Sequence, residues 1–254
     1  MLEVARSVDA TPDLIPVLDE LFAGMSSLGS ATRRIATLVE RFASPGPRAR
    51  VLDLACGKGA VGVELAARTG CRVVGVDACE PFLTAAREAA ERRGVVHRCL
   101  WVECDVRTFA RDFARLHPRP YDAGMMIGLL PLDQAARVLG PLVRPGGVYI
   151  IDDVVLDPTH PQARRFRDVP DKEACSRTIE RLGDRVEHRV LLPRGVILAQ
   201  SRSVLSRLRR SAASVAAKRP VLRRSLEAFL ARQEKASALL VGALRPTIWV
   251  MRRL

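Results

Sequence analysis

The stretch from Arg50 to Gly62 constrains the fold more than any other part of the chain. A short apolar run, Arg50–Leu54, leads into Ala55-Cys-Gly57-Lys-Gly59, and a helical pattern through Val61, Leu65 and Ala66 follows. Two glycines this close let the backbone turn sharply and approach a ligand where a side chain would collide. The helix behind them offers free N–H groups and the positive end of its dipole. Strand, glycine turn and helix, in that order, open a doubly wound sheet.

The alternation then continues. Arg72–Val76 reads as a second strand ending at Asp77, and Pro81, at a favoured first-turn position, opens a helix to about Arg93. Leu100–Val102, Tyr121–Ile127 and Val148–Ile151 read as the third to fifth strands, with a helix from about Asp133 to Leu139 before the last of these. Beyond Asp153 come a helix (Glu173–Leu182) and a strand (Asp184–Leu192). Two basic helices follow, about Val196–Ala217 and Val221–Val241, and then a closing strand, Pro246–Met251. Ahead of Arg50, Pro16–Phe22 and Thr32–Phe42 read as helices flanking a polar loop, and Ser44-Pro-Gly-Pro47 ends the second. The expected fold is α/β: a doubly wound, mostly parallel seven-stranded sheet with helices on both faces. An N-terminal helical segment precedes it, and a helical insertion stands before the last strand.

Charge divides the chain unevenly. The net charge of +13 is carried by the C-terminal part: residues 1–159 hold 19 Lys and Arg against 20 Asp and Glu, residues 160–254 hold 22 against 8. Arg far outnumbers Lys throughout, a bias that base composition of the coding sequence also produces. The six cysteines form no Cys-x-x-Cys pair and no Cys/His cluster at zinc spacing, so no metal is expected. Met1–Ala10, with Glu3, Arg6 and Asp9, has no apolar run of the kind a secretory leader carries. No apolar stretch approaches the length needed to span a bilayer. The expectation is a reduced, cytoplasmic protein with no membrane partner.

Taken literally, Gly57-Lys-Gly59-Ala-Val-Gly62 matches the Gly-x-Gly-x-x-Gly of dinucleotide sites. Asp53, four residues before Gly57, argues otherwise: a carboxylate there repels a pyrophosphate but suits a cationic ligand. Here Val51-Leu-Asp53-Leu-Ala-Cys-Gly57-Lys-Gly59 resembles the first motif of the class I, Rossmann-like S-adenosylmethionine-dependent methyltransferases, with Ala55 where glycine is commoner. Val73-Val-Gly-Val-Asp77 resembles the second, whose acid accepts hydrogen bonds from both ribose hydroxyls; Ala78 then lies against the adenine. Glu103-Cys-Asp105-Val106 resembles the place where an Asp meets the adenine amino group and the next N–H a ring nitrogen. Tyr121-Asp-Ala-Gly-Met-Met126-Ile127 resembles the fourth strand, whose end lines the methionine part, and Arg144-Pro-Gly-Gly-Val-Tyr-Ile150 the loop and strand that close the core.

The resemblance covers about Arg50 to Asp153. It implies an enzyme that binds S-adenosylmethionine and releases S-adenosylhomocysteine. The implied cofactor residues are Asp53, Ala55, Gly57, Gly59, Asp77, Ala78, Asp105, Val106 and Met126. The expected division is an N-terminal helical cap over residues 1–47 and a Rossmann-like methyltransferase domain over 48–254, with a basic helical lid at about 196–241. Asp122 is expected to be structural.

The catalytic set is open. A sulfonium is an activated leaving group, so positioning supplies much of the acceleration. A general base is needed only if the acceptor must lose a proton; Asp152, Asp153 and His160 are the candidates by position, each with a bland reading as strand-end cap or loop residue. Where base-methylating members carry an Asn-Pro-Pro-Tyr-like tetrad, this chain has the apolar Ile127-Gly-Leu-Leu-Pro131. That departure favours a small or apolar acceptor.

The basic helices admit two readings. One lays Arg202, Arg207, Arg209, Arg210, Arg223 and Arg224 along a phosphate backbone, making an RNA or ribosome methyltransferase. The other packs the face Ile197, Ser201, Val204, Leu205, Leu208, Ala212 and Val215 inward as a lid, with Ser26–Ser30 closing from the N-terminal side. The second is favoured, because no aromatics are interleaved with the charge. A non-catalytic protein that binds the cofactor for regulation is the remaining alternative.

Overall fold

The computed structural model describes residues 10–25, 31–113 and 120–254. Its strands are β1 (Arg50–Leu54), β2 (Arg72–Asp77), β3 (Cys99–Glu103), β4 (Tyr121–Ile127), β5 (Val143–Leu156), β6 (Arg185–Leu191) and β7 (Leu244–Arg252). They form one sheet in the order β3-β2-β1-β4-β5-β7-β6. The first five strands are parallel, and β7 runs antiparallel to both neighbours. The order reverses between β1 and β4, and in open α/β sheets a ligand crevice forms beyond the carboxyl ends of the strands at such a point.

Helices α1 (Thr32–Ala43), α2 (Ala60–Thr69) and α3 (Glu80–Arg92) precede or connect the first strands. Ile35, Leu38 and Val39 give α1 a buried stripe at helical spacing. Gly70, at φ 72°, ends α2 as a left-handed cap. Helices α4 (Leu132–Leu139) and α5 (Lys172–Arg181) follow β4 and β5. Asp171 caps α5 by accepting the Ala174 N–H at 2.8 Å. Between β6 and β7 stand α6 (Arg194–Lys218) and α7 (Arg223–Val241).

Two apolar layers sandwich the sheet, one centred on Ile35, Leu65, Leu83 and Ile150, the other on Leu54, Leu139, Tyr149 and Ile179. A third cluster unites the helical pair with the N-terminal turn: Leu208, Ala212, Val215 and Phe229 pack on Leu14, Leu21, Phe22 and Phe82. The apolar face expected on α6 is therefore buried at Ile197, Leu208, Ala212 and Val215, whereas Val204 is exposed.

Two expectations need correction. The fifth strand was expected to stop at Ile151, but antiparallel pairing with β7 carries it on to Leu156. Asp152 and Asp153 thus lie inside a strand: Asp152 is the last residue paired with β4, opposite Ile127, and Asp153 stands just beyond it. The first helical segment is mostly a 3-10 turn, Pro12–Val17, followed by a single α-turn, Leu18–Leu21. The Ser26–Ser30 loop lies outside the described residues. Among the described residues, no helix is long and apolar enough to cross a membrane, and no group of His, Cys, Asp or Glu is arranged to hold a metal ion.

Candidate active site

A cavity of about 900 Å³ opens at the carboxyl ends of β1, β2, β4 and β5. Its floor is the turn after β1, where Ala55, Gly57 and Gly59 all adopt left-handed backbone (φ 58°, 52° and 69°). Such φ values suit glycine and strain alanine, so Ala55 holds a conformation its side chain disfavours. The Cys56 N–H bonds to the Val76 carbonyl at 3.0 Å, pinning the turn to the neighbouring strand.

The outer glycines answer to packing. A Cβ on Gly59 would stand 2.5 Å from Trp101 Cη2 and 2.8 Å from Ala86 Cβ. One on Gly62 would stand 2.8 Å from Val73 Cγ1. Gly57 lines the cavity; Gly59 and Gly62 do not. The last glycine lets α2 close on the sheet, as the third glycine does in dinucleotide sites.

Three acids meet at this floor. Asp53 is buried (3% exposed) and accepts the Gly62 N–H; desolvation, reinforced by the charge of Asp77, pushes its pKa up to about 8. Asp77 Oδ2 accepts the Gly57 N–H at 2.8 Å and Oδ1 that of Cys79 at 3.0 Å. Burial raises the Asp77 pKa, and these N–H groups, with that of Ala78, work against the rise. Asp105 caps the short turn Val106–Thr108, its Oδ1 accepting the Arg107 N–H at 2.8 Å. Asp53, Ala55, Gly57, Asp77, Ala78, Asp105 and Val106 all line the one cavity.

Met126 does not. It is 1% exposed and packs in the second apolar layer, while its neighbour Ile127 reaches the cavity. Successive strand residues point to opposite faces, so a one-residue offset exchanges wall for core.

Opposite the floor, Asp152 and Asp153 line the wall together with Ile127–Pro131. Asp153 Oδ2 accepts the Leu132 N–H at 2.7 Å and so caps α4, and Oδ1 accepts the Val154 N–H at 2.7 Å. No described residue donates to the Asp152 carboxylate; burial, then the charge of Asp153, pushes its pKa up to about 7. His160 lies outside the cavity, in a turn where its Nδ1 accepts the Gln162 N–H at 3.2 Å. Asp122 is held by structure, accepting the Arg50 N–H and Arg144 Nε–H at 2.9 Å each.

Several wall residues had been given no binding role. Lys58 lines the cavity, donates from Nζ to the Phe22 carbonyl at 2.6 Å, and sits 5.8 Å from the Phe82 ring centroid. Burial lowers its pKa. Ile197, Ser201 and Val204 of α6 and Ala236, Ser237 and Leu240 of α7 stand in the far wall, together with Gln200 and Gln233. The α6 trio belonged to the expected inward face; nothing in the sequence singled out the α7 trio.

A family model described as a methyltransferase domain matches residues 51–147. No curated protein matches the chain. Among solved structures, the chain is similar to a SAM-dependent methyltransferase from Thiobacillus denitrificans in complex with S-adenosyl-L-homocysteine (TM-score 0.78, 17% identity, 96% of this chain and 100% of that one). One from Geobacter sulfurreducens, also with S-adenosyl-L-homocysteine, gives 0.76 and 19% over 96% and 99% of the chains. A mycolic acid cyclopropane synthase in its apo form gives 0.70 and 12% over 96% and 100%. At these identities the likeness is one of fold. Residues 51–147 thus match a methyltransferase-domain model, and the chain shares its fold with solved SAM-dependent methyltransferases.

Proposed function

We propose that this chain transfers a methyl group from S-adenosylmethionine to a small-molecule acceptor. The observation that carries the reading is the convergence of Asp53, Asp77 and Asp105 on a left-handed glycine turn within one cavity. In this reading Asp77 receives the ribose hydroxyls, Asp105 and the Val106 N–H receive the adenine, and Asp53 faces the cationic amino-acid end. A pyrophosphate would meet these carboxylates at a cost, since like charges in a half-buried site repel strongly.

The remaining space is the acceptor's. Its walls, from Ile127–Pro131, α6 and α7, are mostly apolar groups, with serines and the amides of Gln200 and Gln233 among them, and the helical pair serves as the lid. Asp152 is the base in this scheme, because it lines the cavity without a donor among the described residues, whereas Asp153 is committed to capping α4. The neighbouring cyclopropane synthase supports an apolar acceptor by analogy of fold.

Calorimetry with S-adenosylmethionine, S-adenosylhomocysteine and NAD tests the donor assignment. The first two should bind and NAD should not; NAD binding alone would overturn it. The RNA reading keeps one supporting observation, the exposure of Arg202, Arg223 and Arg224. It requires RNA affinity that falls steeply with salt and disappears when residues 196–241 are deleted.

A further inference from the structure

Charge is distributed within the cavity opposite to its distribution in the chain. The protein carries a net +13, yet among the described residues its cavity wall contains five aspartates against one lysine and one arginine. Both cations, Lys58 and Arg107, belong to the floor around the cofactor turn. The pair α6–α7 is rich in arginine but contributes none to the wall; Arg209 is spent on Glu234 at 2.7 Å, Arg207 on the Gly24 carbonyl at 2.9 Å. What the pair turns inward is uncharged: Ile197, Val204 and Leu240, with the amides of Gln200 and Gln233 and small residues such as Ser201 and Ser237 among them. An anionic acceptor would therefore find no counter-charge among the described residues at its own end of the cavity, and would lie against Asp152 and Asp153.

We propose that the acceptor is an amine on an apolar body, received as its ammonium form by Asp152. This rests on the methyl-transfer reading above and specifies its acceptor. A low-dielectric cavity with an excess of one sign concentrates ligands of the other. The excess here also offsets the repulsion between the ammonium and the sulfonium of the donor.

The chemistry balances without a further reactant. The ammonium gives one proton to the Asp152 carboxylate, leaving a neutral amine. Its nitrogen lone pair attacks the sulfonium methyl; the N–C bond forms as the C–S bond breaks, and the C–S electron pair stays on sulfur as a neutral thioether. The product leaves as a methylated ammonium, and Asp152 returns its proton to solvent. Asp152 lines the cavity with no donor among the described residues, as such a proton acceptor requires.

The test uses the whole protein saturated with S-adenosylhomocysteine and three probes sharing one apolar chain: n-octylamine, octan-1-ol and octanoate. Titration calorimetry should show the amine binding about ten-fold or more tightly than the alcohol, and octanoate not binding. Asp152→Asn should bring the amine down to the level of the alcohol while the affinity for S-adenosylhomocysteine stays unchanged, which also shows that the variant is folded. Equal or tighter binding of the alcohol, binding of octanoate, or an unaltered amine affinity in Asp152→Asn would each overturn the inference alone. Failure of S-adenosylhomocysteine to bind the wild type would remove the methyl-transfer reading, and the inference with it.

Discussion

The Asp77 carboxylate accepts the Gly57 N–H at 2.8 Å, so the end of β2 holds the turn that follows β1. One side chain thereby shapes the floor of the cavity, and in the proposed reading it also receives the ribose hydroxyls. Asp77→Ala should lower the affinity for S-adenosylhomocysteine about 100-fold, the loss of two hydrogen bonds to a charged group at about 1.5 kcal/mol each. Asp77→Asn, which keeps the shape, should lose less. Calorimetry on the two variants measures this; equal affinity in wild type and Asp77→Ala would remove Asp77 from the site.

Asp53 makes both stability and binding depend on pH. Its folded pKa of about 8 lies above the ordinary carboxylate value, so folding takes up a proton at intermediate pH. The stabilisation is complete below about pH 4 and is lost as pH rises through about 8. The Tm of the ligand-free protein should therefore fall between pH 6 and pH 8.5, approximate bounds of that window, relative to Asp53→Asn. A cationic donor favours the ionised carboxylate, so its binding near neutral pH should release protons. Calorimetry in buffers of different ionisation enthalpy reads that release, and proton uptake instead would contradict the assignment.

Lys58 joins the cofactor turn to the N-terminal segment through its 2.6 Å bond to the Phe22 carbonyl. Phe22 in turn packs edge-on against Phe82 and Phe229, at centroid distances of 6.0 and 6.2 Å. Lys58→Met keeps the stem and removes the donor. Amide hydrogen exchange should then accelerate across Pro12–Met25 by about ten-fold, with the central strands unchanged. An exchange pattern identical to wild type would show that the contact does not hold the segment.

Trp101 requires glycine on the neighbouring strand. A Cβ on Gly75 would lie 2.3 Å from two of its ring carbons. Gly75→Ala should cost about 1–3 kcal/mol by overpacking, which for a chain of this size lowers Tm by about 2–4 °C per kcal/mol. Thermal unfolding and near-ultraviolet dichroism both report it. A Tm within error of wild type would mean that the indole has an alternative place to go.

The sheet was legible because each strand is a short apolar run closed by glycine, proline or an acid, and these signals are local. Asp53, Asp77 and Asp105 were legible for the same reason: each stands at or just beyond the end of such a run, and parallel strands bring those ends together. The length of β5 was not, since its last residues are strand only through pairing with β7, about ninety positions away. Met126 was misplaced by one step of the strand alternation, and His160 by the path of a turn that no periodicity describes. Gly59 was assigned to the ligand although its neighbour is Trp101, a contact between separate segments that spacing does not encode. The α7 wall was invisible because serine, alanine and leucine are ordinary on any helix.

The antiparallel pairing of β6 with β7 has an evolutionary consequence. The chain leaves the sheet after Leu191 and returns at Leu244, and Leu191 pairs with Thr247, so the fifty-odd residues between begin and end at adjoining points. Such a segment behaves as a cassette: it can be lengthened, shortened or exchanged by recombination without moving any strand that carries the donor site. Because the cassette shares its apolar side with Pro12–Met25, the two should be inherited as a pair. Descendants of one donor-binding frame can then diverge in what they modify while keeping how they are charged with methyl.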